Sequence, residues 1–409
     1  MAKLSSIAYY VTDKISSNDI SLAEYVTTDC ILQNKKGREV ATNLPPQPCS
    51  LIRYQRGDVL IANIRPYLKK VWFADIDGGA SPDVLVFRAK DGHSPSFLYA
   101  ILLQDSFFDY VMQGTKGSKM PRGDKEQILR YEMPTFSCSE ESIGTFFLNL
   151  DRKIHLNERI NQNLEAMAKQ LYDYWFVQFD FPNENGKPYK SSGGKMVWNE
   201  KLKREIPKGW NVLKLGEHCS FNKRTSNGYF NHPILYLDTS NITNNTIDEL
   251  QFLNPSSDII PSRARRLVQE GDIVYSTVRP NLKHFGIIMN PDYNMVVSTG
   301  FAVITANWSA YRYFIYQFLI QAATIENLST IAQSAVSAYP SINTSDIENL
   351  DLVVPPDSMI EKYAKTACRL YLQIDTNYKE IKSLTKQRDE LLPLLMNGQV
   401  SVNSDLSHD

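Results

Sequence analysis

Two stretches of the chain carry the same helical stripe, and this duplication constrains the fold more than any other feature. In each stretch the stripe residues alternate at spacings of four and three, which places them on one face of a helix. The first stripe is Leu150, Ile154, Asn157, Asn161, Leu164, Ala168, Leu171 and Trp175. The stripe returns 220 residues later as Leu370, Ile374, Asn377, Ile381, Leu384, Arg388, Leu391 and Leu395. We therefore predict two long amphipathic helices that are each other's packing partners.

Both helices have the same predicted start. Ser137 and Ser358 are each followed three residues later by glutamate, a capping-box pattern, and Gly398 is a suitable C-terminal stop for the second helix. The asparagines on the stripe cost stability but can fix register, which suits a helix with one intended partner.

The duplication extends beyond the helices. One stretch of 13 residues repeats at fixed internal spacing. Gly57-Asp58, Arg65-Pro66 and Leu68-Lys69 recur as Gly271-Asp272, Arg279-Pro280 and Leu282-Lys283. The chain is therefore predicted to be a tandem repeat of two similar modules.

Short strand-like runs and one helix-like run, Pro95 to Val111, indicate that each module is a mixed α/β domain. We predict an α+β fold in which two such mixed α/β domains, in pseudo-twofold tandem repeat, are separated by two long antiparallel coiled-coil helices. The predicted segments are domain 1 at 1–136, a central helix at 137–181, a linker at 182–205, domain 2 at 206–356, a C-terminal helix at 357–399 and a tail at 400–409.

Composition limits the possible environments and partners. The 409 residues are 43% hydrophobic, with a formal charge of −1, no apolar run of membrane-spanning length and five scattered cysteines outside any C-x-x-C pair. We expect a soluble, cytoplasmic protein with reduced thiols and no bound metal. Because non-specific affinity for nucleic acid comes mostly from Lys and Arg, any DNA binding must be local or shared with partners.

Catalytic motifs are mostly missing. The Gly193-Gly194-Lys195 stretch lacks the upstream glycine of a P-loop, methyltransferase signatures are absent, and the six histidines have no metal-ligand spacing. Pro82-Asp83 with Lys90 lacks the second carboxylate of a nuclease pattern. We infer binding instead of catalysis.

The repeated Arg-Pro-x-Leu-Lys segment is the strongest local signal for binding. It follows an apolar strand and carries Arg65, Lys69 and Lys70 in the first module, and Arg279 and Lys283 in the second. Either the arginine pairs with the repeated aspartate to hold the turn, or the basic residues reach a phosphate or a guanine edge.

A second pair of loops is rich in small hydroxyl-bearing residues but otherwise differs between the modules, as expected if one scaffold reads two sequences. Their candidate DNA-binding residues are Lys116, Lys119, Arg122, Gln333, Ser334, Ser337 and Tyr339. Arg263, Arg265 and Arg266 add a basic cluster to the second module. A solvated surface role remains the alternative for each residue.

The repeat, the two helices, Trp175-Phe176-Val177, the linker from Phe181 to Met196 and Ile206-Pro-Lys-Gly-Trp210 together resemble the specificity subunit of type I restriction-modification enzymes. The first module departs from the family pattern because it lacks the Ile-Pro-x-Gly-Trp entry, which leaves its N-terminal edge open.

The resemblance implies that each repeat reads one half of a bipartite, interrupted site in double-stranded DNA. It also implies that methylation and cleavage belong to partners, namely two modification subunits and restriction subunits with translocase and nuclease activity. S-adenosylmethionine, ATP and Mg²⁺ are expected on those partners, with no cofactor on this chain. The alternative is a protein-binding scaffold with a helical dimerisation strut.

Overall fold

The computed structural model of the chain describes residues 2–117, 119–133, 139–334 and 340–396. The chain forms two compact units, of which the first comprises Met1–Arg159 with Asn377–Asp409 and the second comprises Ile160–Thr376. Each unit contains one α/β portion and a segment of each long helix. The predicted domain limits, which set the helices apart from the α/β portions, stay a prediction.

Among the described residues, the α/β portion of the first unit contains ten short strands. These are β1 Ala2–Lys3, β2 Ala8–Tyr10, β3 Lys14–Ser16, β4 Tyr25–Val26, β5 Ser50–Tyr54, β6 Val59–Ala62, β7 Val71–Phe73, β8 Gly78–Ala80, β9 Val84–Ala89 and β10 Glu132–Met133. Its helices are α1 Leu4–Ile7, α2 Pro95–Leu102, α3 Asp105–Gln113 and α4 Lys125–Ile128. The strands form two four-stranded sheets and the pair β1–β10.

The second unit has the strands β11 Met196–Asn199, β12 Arg204–Pro207, β13 Asn211–Lys214, β14 Cys219–Phe221, β15 Ile234–Leu237, β16 Ile242–Thr243, β17 Thr246–Ile247, β18 Gln251–Leu253, β19 Ala264–Leu267, β20 Ile273–Ser276, β21 Phe285–Ile287, β22 Met295–Ser298, β23 Phe301–Ala306 and β24 Asp351–Val354. The long central helix α5, Glu140–Tyr172, comes before these strands. The later helices are α6 Tyr311–Leu319, α7 Ala322–Ser334, α8 Thr344–Glu348 and α9 Asp357–Met396.

The sheets reveal the repeat at the level of topology. The antiparallel order β2-β9-β6-β7 in the first unit is matched by β14-β23-β20-β21 in the second, and the pair β1–β10 is matched by β13–β24. Both units also contain one parallel pair in the other sheet, β4 with β8 and β15 with β22. The predicted fold class, with tandem mixed α/β domains, is confirmed.

The second sheet of each unit differs at one edge. Three strands correspond, β5-β8-β4 with β19-β22-β15, but the fourth strand is added at opposite ends. In the first unit β3 pairs with β5, whereas in the second unit β18 pairs with β15. The repeat therefore preserves the central strands of each sheet and varies an edge.

The helix-like run predicted from Pro95 to Val111 is wrong as a single element. It is two helices, α2 and α3, and Gln104 between them has extended backbone angles of φ −67° and ψ 143°. The break lets nearly all of α2 and the apolar face of α3 enter one core, which contains Phe97, Phe107 and Phe108. A continuous helix would expose part of this surface.

The ends of the two long helices can be given only within the described residues. α5 continues from Tyr172 into a π-helical turn, Asp173–Val177, which ends before the predicted limit at Phe181. The π turn directs Trp175 and Phe176 into an aromatic cluster with Tyr363, whose ring centroid lies 4.9 Å from that of Phe176. The predicted cap Ser137 and stop Gly398 lie outside the described residues. Ser358 was predicted as the cap of the second helix, but α9 begins at Asp357 and Ser358 lies inside its first turn.

The two helices are antiparallel within each unit. In the first unit Asp151 contacts Arg388, and Asn157 donates a hydrogen bond to Glu380 at 2.8 Å. Partner numbers fall as residue numbers rise, which only an antiparallel pair can produce. In the second unit Asn161 donates to the backbone carbonyl of Ile374 at 3.4 Å, and the Tyr172 ring lies beside the Tyr363 ring.

The predicted seam residues all lie on inward or half-inward faces of these helices. The buried residues among them are Ile154, Asn157, Ile374 and Asn377. The half-buried ones are Leu150, Leu164, Leu171, Leu370, Leu384 and Leu391.

Two further findings concern the described part of the chain. No helix there has the length and apolar character needed to cross a membrane.

Cys30, Cys49, Cys219 and Cys368 are free thiols, and Cys138 lies outside the described residues.

Candidate nucleic-acid interface

Each unit contains a basic turn, Arg65–Lys69 in the first and Arg279–Lys283 in the second. Both turns contain a short 3₁₀ helix, Pro66–Leu68 or Pro280–Leu282, flanked by two left-handed residues. The angles φ and ψ are 54° and 63° at Arg65 and 47° and 68° at Arg279. A non-glycine residue in this region costs about 1–2 kcal/mol. Glycine would avoid that cost, so the basic side chains are retained at the expense of backbone strain.

The basic turn is hydrogen-bonded in the same way in both units. In the first, the N–H of Leu68 donates to the Arg65 carbonyl at 2.9 Å and the N–H of Lys69 donates to the Pro66 carbonyl at 2.9 Å. The equivalent bonds of Leu282 and Lys283 measure 2.9 and 3.0 Å. Because proline fixes φ and these bonds close the turn, the side chains start from a rigid base.

In each module the second loop predicted from the sequence, 114–122 or 333–341, has described residues that lie against the basic turn. We call these the adjacent loops. The Arg65 N–H donates to the Pro121 carbonyl at 2.8 Å, and the Arg279 N–H donates to the Pro340 carbonyl at 3.0 Å. The two candidate loops of each module therefore form one surface at the end of β6 or β20.

The repeated aspartate has partners outside the basic turn. Asp58 accepts two hydrogen bonds from Arg88, both at 2.8 Å, and this bond raises the pKa of Arg88. Asp272 accepts hydrogen bonds from Arg224 and, at 2.7 Å, from Thr305. The alternative in which Asp58 holds Arg65 is wrong, because the Asp58 carboxylate is already engaged by Arg88 across the β6–β9 ladder. Arg65 is exposed.

Two lysines of the first basic turn region have fixed partners. Lys69 Nζ lies 2.9 Å from Asp105, and Lys70 Nζ donates to the Thr28 carbonyl at 2.6 Å. Burial raises the pKa of Asp105, but hydrogen bonds from Lys69 and Lys35 outweigh burial and leave the pKa below its ordinary value. Lys70 thus has an intramolecular role, whereas Lys69 is half-exposed.

The first adjacent loop carries its basic groups on the surface. Lys116 and Arg122 exchange two backbone hydrogen bonds of 3.1 Å, which close the loop as a small hairpin. Lys116 Nζ lies 2.7 Å from Asp124 and, together with backbone N–H donors, lowers the pKa of Asp124 to about 2. Arg122 lies 3.2 Å from Asp83, and Lys119 is exposed.

The second unit presents fewer basic groups beside its turn. Arg279 and Gln333 line a shallow cavity of about 170 Å³, together with Ser329, whose buried hydroxyl has no hydrogen-bond partner among the described residues. The Ser334 hydroxyl donates to the Ile331 carbonyl at 2.8 Å. The candidates Ser337 and Tyr339 lie outside the described residues.

The arginine cluster of the second unit is divided. Arg263 is exposed, and the exposed Arg265 donates from Nε to the Ser262 carbonyl at 2.9 Å. Arg266 instead turns inward and donates to Asn222 and to the Phe301 carbonyl. Burial lowers the pKa of Arg266. Arg266 thus supports the sheet, and the other two arginines are accessible.

Sequence reasoning missed a second duplicated feature, a pair of consecutive left-handed residues at Asn34–Lys35 and Asn244–Asn245. The N–H of Asn34 donates to the Leu68 carbonyl at 2.9 Å, and that of Asn244 donates to the Lys283 carbonyl at 2.9 Å. Each pair therefore holds the basic turn of its own unit through a backbone hydrogen bond. Asparagine tolerates left-handed angles, so the Asn-Asn dipeptide was the available signal.

The same pairs connect the α/β portions to the long helices of their own unit. Lys35 Nζ lies 3.1 Å from Asp389 on α9 in the first unit. In the second unit Asn245 Nδ2 donates to Glu165 on α5 at 3.1 Å. Burial raises the pKa of Glu165 to about 7, and the bond from Asn245 opposes that rise.

No metal site is evident in the described part of the chain, where no group of three or more His, Cys, Asp or Glu side chains could hold an ion.

Known proteins resemble the chain in sequence. Residues 207–386 match the family described as the type I restriction modification DNA specificity domain. The type I restriction enzyme MjaIX specificity subunit of Methanocaldococcus jannaschii is 25% identical over 402 residues, which cover 95% of this chain and 86% of that protein. The HindI specificity subunit of Haemophilus influenzae is 21% identical over 463 residues, covering 97% and 98%.

A solved structure shares the fold. The crystal structure of the type I restriction-modification S subunit from M. genitalium superposes with a TM-score of 0.55 at 15% identity, covering 96% of this chain and 95% of that chain. At this identity the likeness concerns the fold alone. The sequence and fold similarities both extend over nearly the entire chain.

Proposed function

We infer that the chain belongs to the specificity subunits of type I restriction-modification systems, as its sequence predicted, and that it is the subunit that recognises DNA sequence. The observation that carries this conclusion is the DNA specificity domain at residues 207–386. Relatives named as specificity subunits match 95% and 97% of the chain, so the assignment covers the first repeat as well.

The geometry of the basic turns and adjacent loops supports this function. DNA affinity depends on cations that reach phosphates, and sequence recognition depends on polar side chains that reach base edges. Each unit places exposed residues of both kinds on one surface, with Arg65 beside the loop of Lys119 and Arg279 beside Gln333. This local concentration resolves the apparent conflict with an overall formal charge of −1.

We propose further that each unit reads its own half of a bipartite, interrupted site. The support is the combination of a repeated scaffold with different adjacent loops. Residues 114–122 contain three basic side chains, whereas residues 333–341 contain none. Gln333 and Ser334, which were predicted in a loop, are the last two residues of α7. Since base recognition depends on side-chain type, the same fold would then recognise two different half-sites.

We propose that modification and restriction subunits dock on the long helices. The outer face of α5 and of the π-helical turn that follows it exposes apolar side chains at helical spacing, with 37% of Ile160, 53% of Met167 and 37% of Tyr174 accessible. Exposed apolar residues arranged in a row commonly mark a protein-binding surface. Of the three corresponding positions of α9, 220 residues later, two are the polar Glu380 and Gln387 and one is the exposed Leu394. The apolar row is therefore longer on α5, which we take as the preferred docking helix.

We propose that the chain performs no chemistry itself. S-adenosylmethionine would bind to the modification subunits, and ATP and Mg²⁺ to the restriction subunits. The purified chain with S-adenosylmethionine alone is expected to leave plasmid DNA unmethylated. Methyl transfer by the chain in the absence of a modification subunit would contradict this assignment.

The decisive experiment for the recognition function is methylation sequencing in cells. A host with the modification subunit should show one methylated, interrupted motif when this chain is present and lose that motif when the gene is deleted. The same motif in both strains, or no motif in either, would contradict the proposed function.

A further inference from the structure

The basic turn is the surface feature that the two units share most closely. Its arginine, proline, leucine and lysine are the same residues in both copies. The left-handed lysines, Lys69 and Lys283, have φ and ψ of 50° and 47° and of 58° and 35°. Both arginine N–H groups donate to a proline carbonyl of the adjacent loop. The turn is thus duplicated in residue type, conformation and attachment.

The adjacent loops lack this identity. In the first unit the loop closes by the two backbone bonds between Lys116 and Arg122 and carries exposed cations. The described residues of the second loop begin in the last turn of α7, where Gln333 and Ser334 present uncharged polar groups. Loops of different chemistry are therefore attached to turns that share four of their five residues and differ only at Tyr67 and Asn281.

Side chains that discriminate base pairs must match the donor and acceptor pattern of their target. Two units that read different half-sites need different side chains for that task, while the sugar-phosphate backbone is the same at both half-sites. We propose that the two basic turns are sequence-independent phosphate anchors and that base recognition falls to residues that differ between the two units. The proposal rests on the proposed function, in which each unit reads its own half-site.

The chemistry of the turns fits phosphate binding. Arginine and lysine both bind phosphate, and a strained but rigid backbone holds them at a fixed point of the surface. Arg65 is exposed and has no carboxylate partner among the described residues. The anchor and the adjacent loop share a backbone hydrogen bond, so a fixed anchor would also set the distance of the loop from the DNA.

The two anchors are unequal in charge. In the first unit Lys69 lies 2.9 Å from Asp105, which neutralises part of its charge. In the second unit Lys283 is exposed, and its ammonium group has no carboxylate partner within the described residues. Contact of Lys283 with a phosphate is therefore expected to release more counterions from the DNA than contact of Lys69.

The test uses the full chain assembled with its modification subunit and two DNA duplexes. One duplex contains the motif that the wild-type complex methylates, and the other contains the same bases in scrambled order. Dissociation constants are measured over a range of salt for the paired variant Arg65→Gln and Arg279→Gln. We expect affinity to fall by the same factor on both duplexes. The slope of log affinity against log salt concentration should become shallower by about 2, since each phosphate contact contributes about 0.9. The methylated motif should stay unchanged.

The matched control is the pair Arg65→Lys and Arg279→Lys. Lysine keeps the charge that a phosphate needs but loses the planar fork that reads guanine. We expect this pair to recover most of the affinity and to methylate the wild-type motif. Within single variants, Lys283→Gln should reduce the salt slope more than Lys69→Gln does, and thermal unfolding should show that every variant is folded.

Three results would overturn the proposal. These are an affinity loss confined to the motif duplex, a changed motif in the lysine pair, and unchanged affinity and slope in the glutamine pair. A wild-type complex that binds both duplexes equally would instead contradict the proposed function. Failure of the anchor and failure of DNA recognition are therefore distinguishable.

Discussion

Arg388 donates a hydrogen bond of 3.3 Å to Asp151, so that two oppositely charged residues meet between the long helices of the first unit. Both are buried, with side-chain accessibilities of 5% and 7%. Asp151 also accepts a 2.8 Å hydrogen bond from Tyr99 of α2 and thereby connects the α/β portion to both helices. Arg388 occupies a stripe position at which the sequence pattern otherwise places mostly apolar residues.

This pair predicts a strongly coupled response to mutation. Arg388→Met should destabilise the first unit by less than the about 3–5 kcal/mol of a carboxylate left without any cation, because the buried Asp151 loses Arg388 but keeps His155 at 3.3 Å. Adding Asp151→Leu should recover part of that loss. Urea unfolding of both variants measures the coupling. If the double variant is no more stable than Arg388→Met alone, the buried Asp151 carboxylate does not destabilise the fold after Arg388 is removed.

The second prediction concerns pH and Glu165. Its pKa of about 7 in the folded chain lies above the ordinary value because burial disfavours the carboxylate. The folded state therefore binds more protons than the unfolded state between about pH 4.5 and 7, and this group's contribution to stability falls as pH rises through that window.

Glu165→Gln should remove this dependence and stabilise the second unit at pH 8 by roughly 1–3 kcal/mol, since glutamine can still accept the bond from Asn245. Thermal unfolding at pH 5 and pH 8 provides the measurement. The exposed Glu205→Gln on β12 is the control and should change neither curve. Equal effects of the two substitutions would contradict the burial argument.

Backbone strain at the basic turn yields a third prediction. Arg65→Gly should increase the stability of the first unit by about 0.5–1 kcal/mol, because the left-handed cost removed exceeds the entropy cost of glycine. The same change should weaken DNA binding by the assembled complex. Chemical unfolding and DNA titration are both required, and a destabilised Arg65→Gly variant would show that the arginine side chain holds the turn.

The fourth prediction concerns the independence of the two half-sites. Replacing Lys119 and Arg122 by alanine, with or without Lys116→Ala, should alter or relax one half of the methylated motif at about 1–3 kcal/mol per lost base contact. The other half should keep its sequence. Lys203→Ala, on the exposed turn between β11 and β12, is the control. A change in both halves would rule out independent reading.

Partner docking gives the fifth prediction. Met167→Asp with Ile160→Asp should abolish or strongly weaken assembly with the modification subunit, because charge would enter an apolar contact. Gln387→Asp, at the position equivalent to Met167 on α9, should assemble normally. Analytical ultracentrifugation of the mixed subunits compares the two. Loss of assembly in both variants, or in neither, would exclude α5 as the preferred helix.

The sequence by itself determined the duplication, the phase of the long helices and the residues of the basic turn. These features depend on spacing along the chain. Residues at intervals of four and three lie on one helical face whatever surrounds them, and the repeated Gly-Asp and Arg-Pro-x-Leu-Lys segments are evident without coordinates. The exposed turn at Arg65 and Arg279 follows directly from the Arg-Pro dipeptide after an apolar strand.

Only the tertiary structure decided which groups meet. Asp58 bonds to Arg88 on β9, and Lys35 reaches Asp389, 354 positions along the chain. The α2–α3 break and the opposite edge positions of β3 and β18 are likewise outcomes of packing. Periodicity specifies which face of an element is buried, but it leaves the partner open, because partner choice depends on the packing and desolvation of residues far apart in sequence.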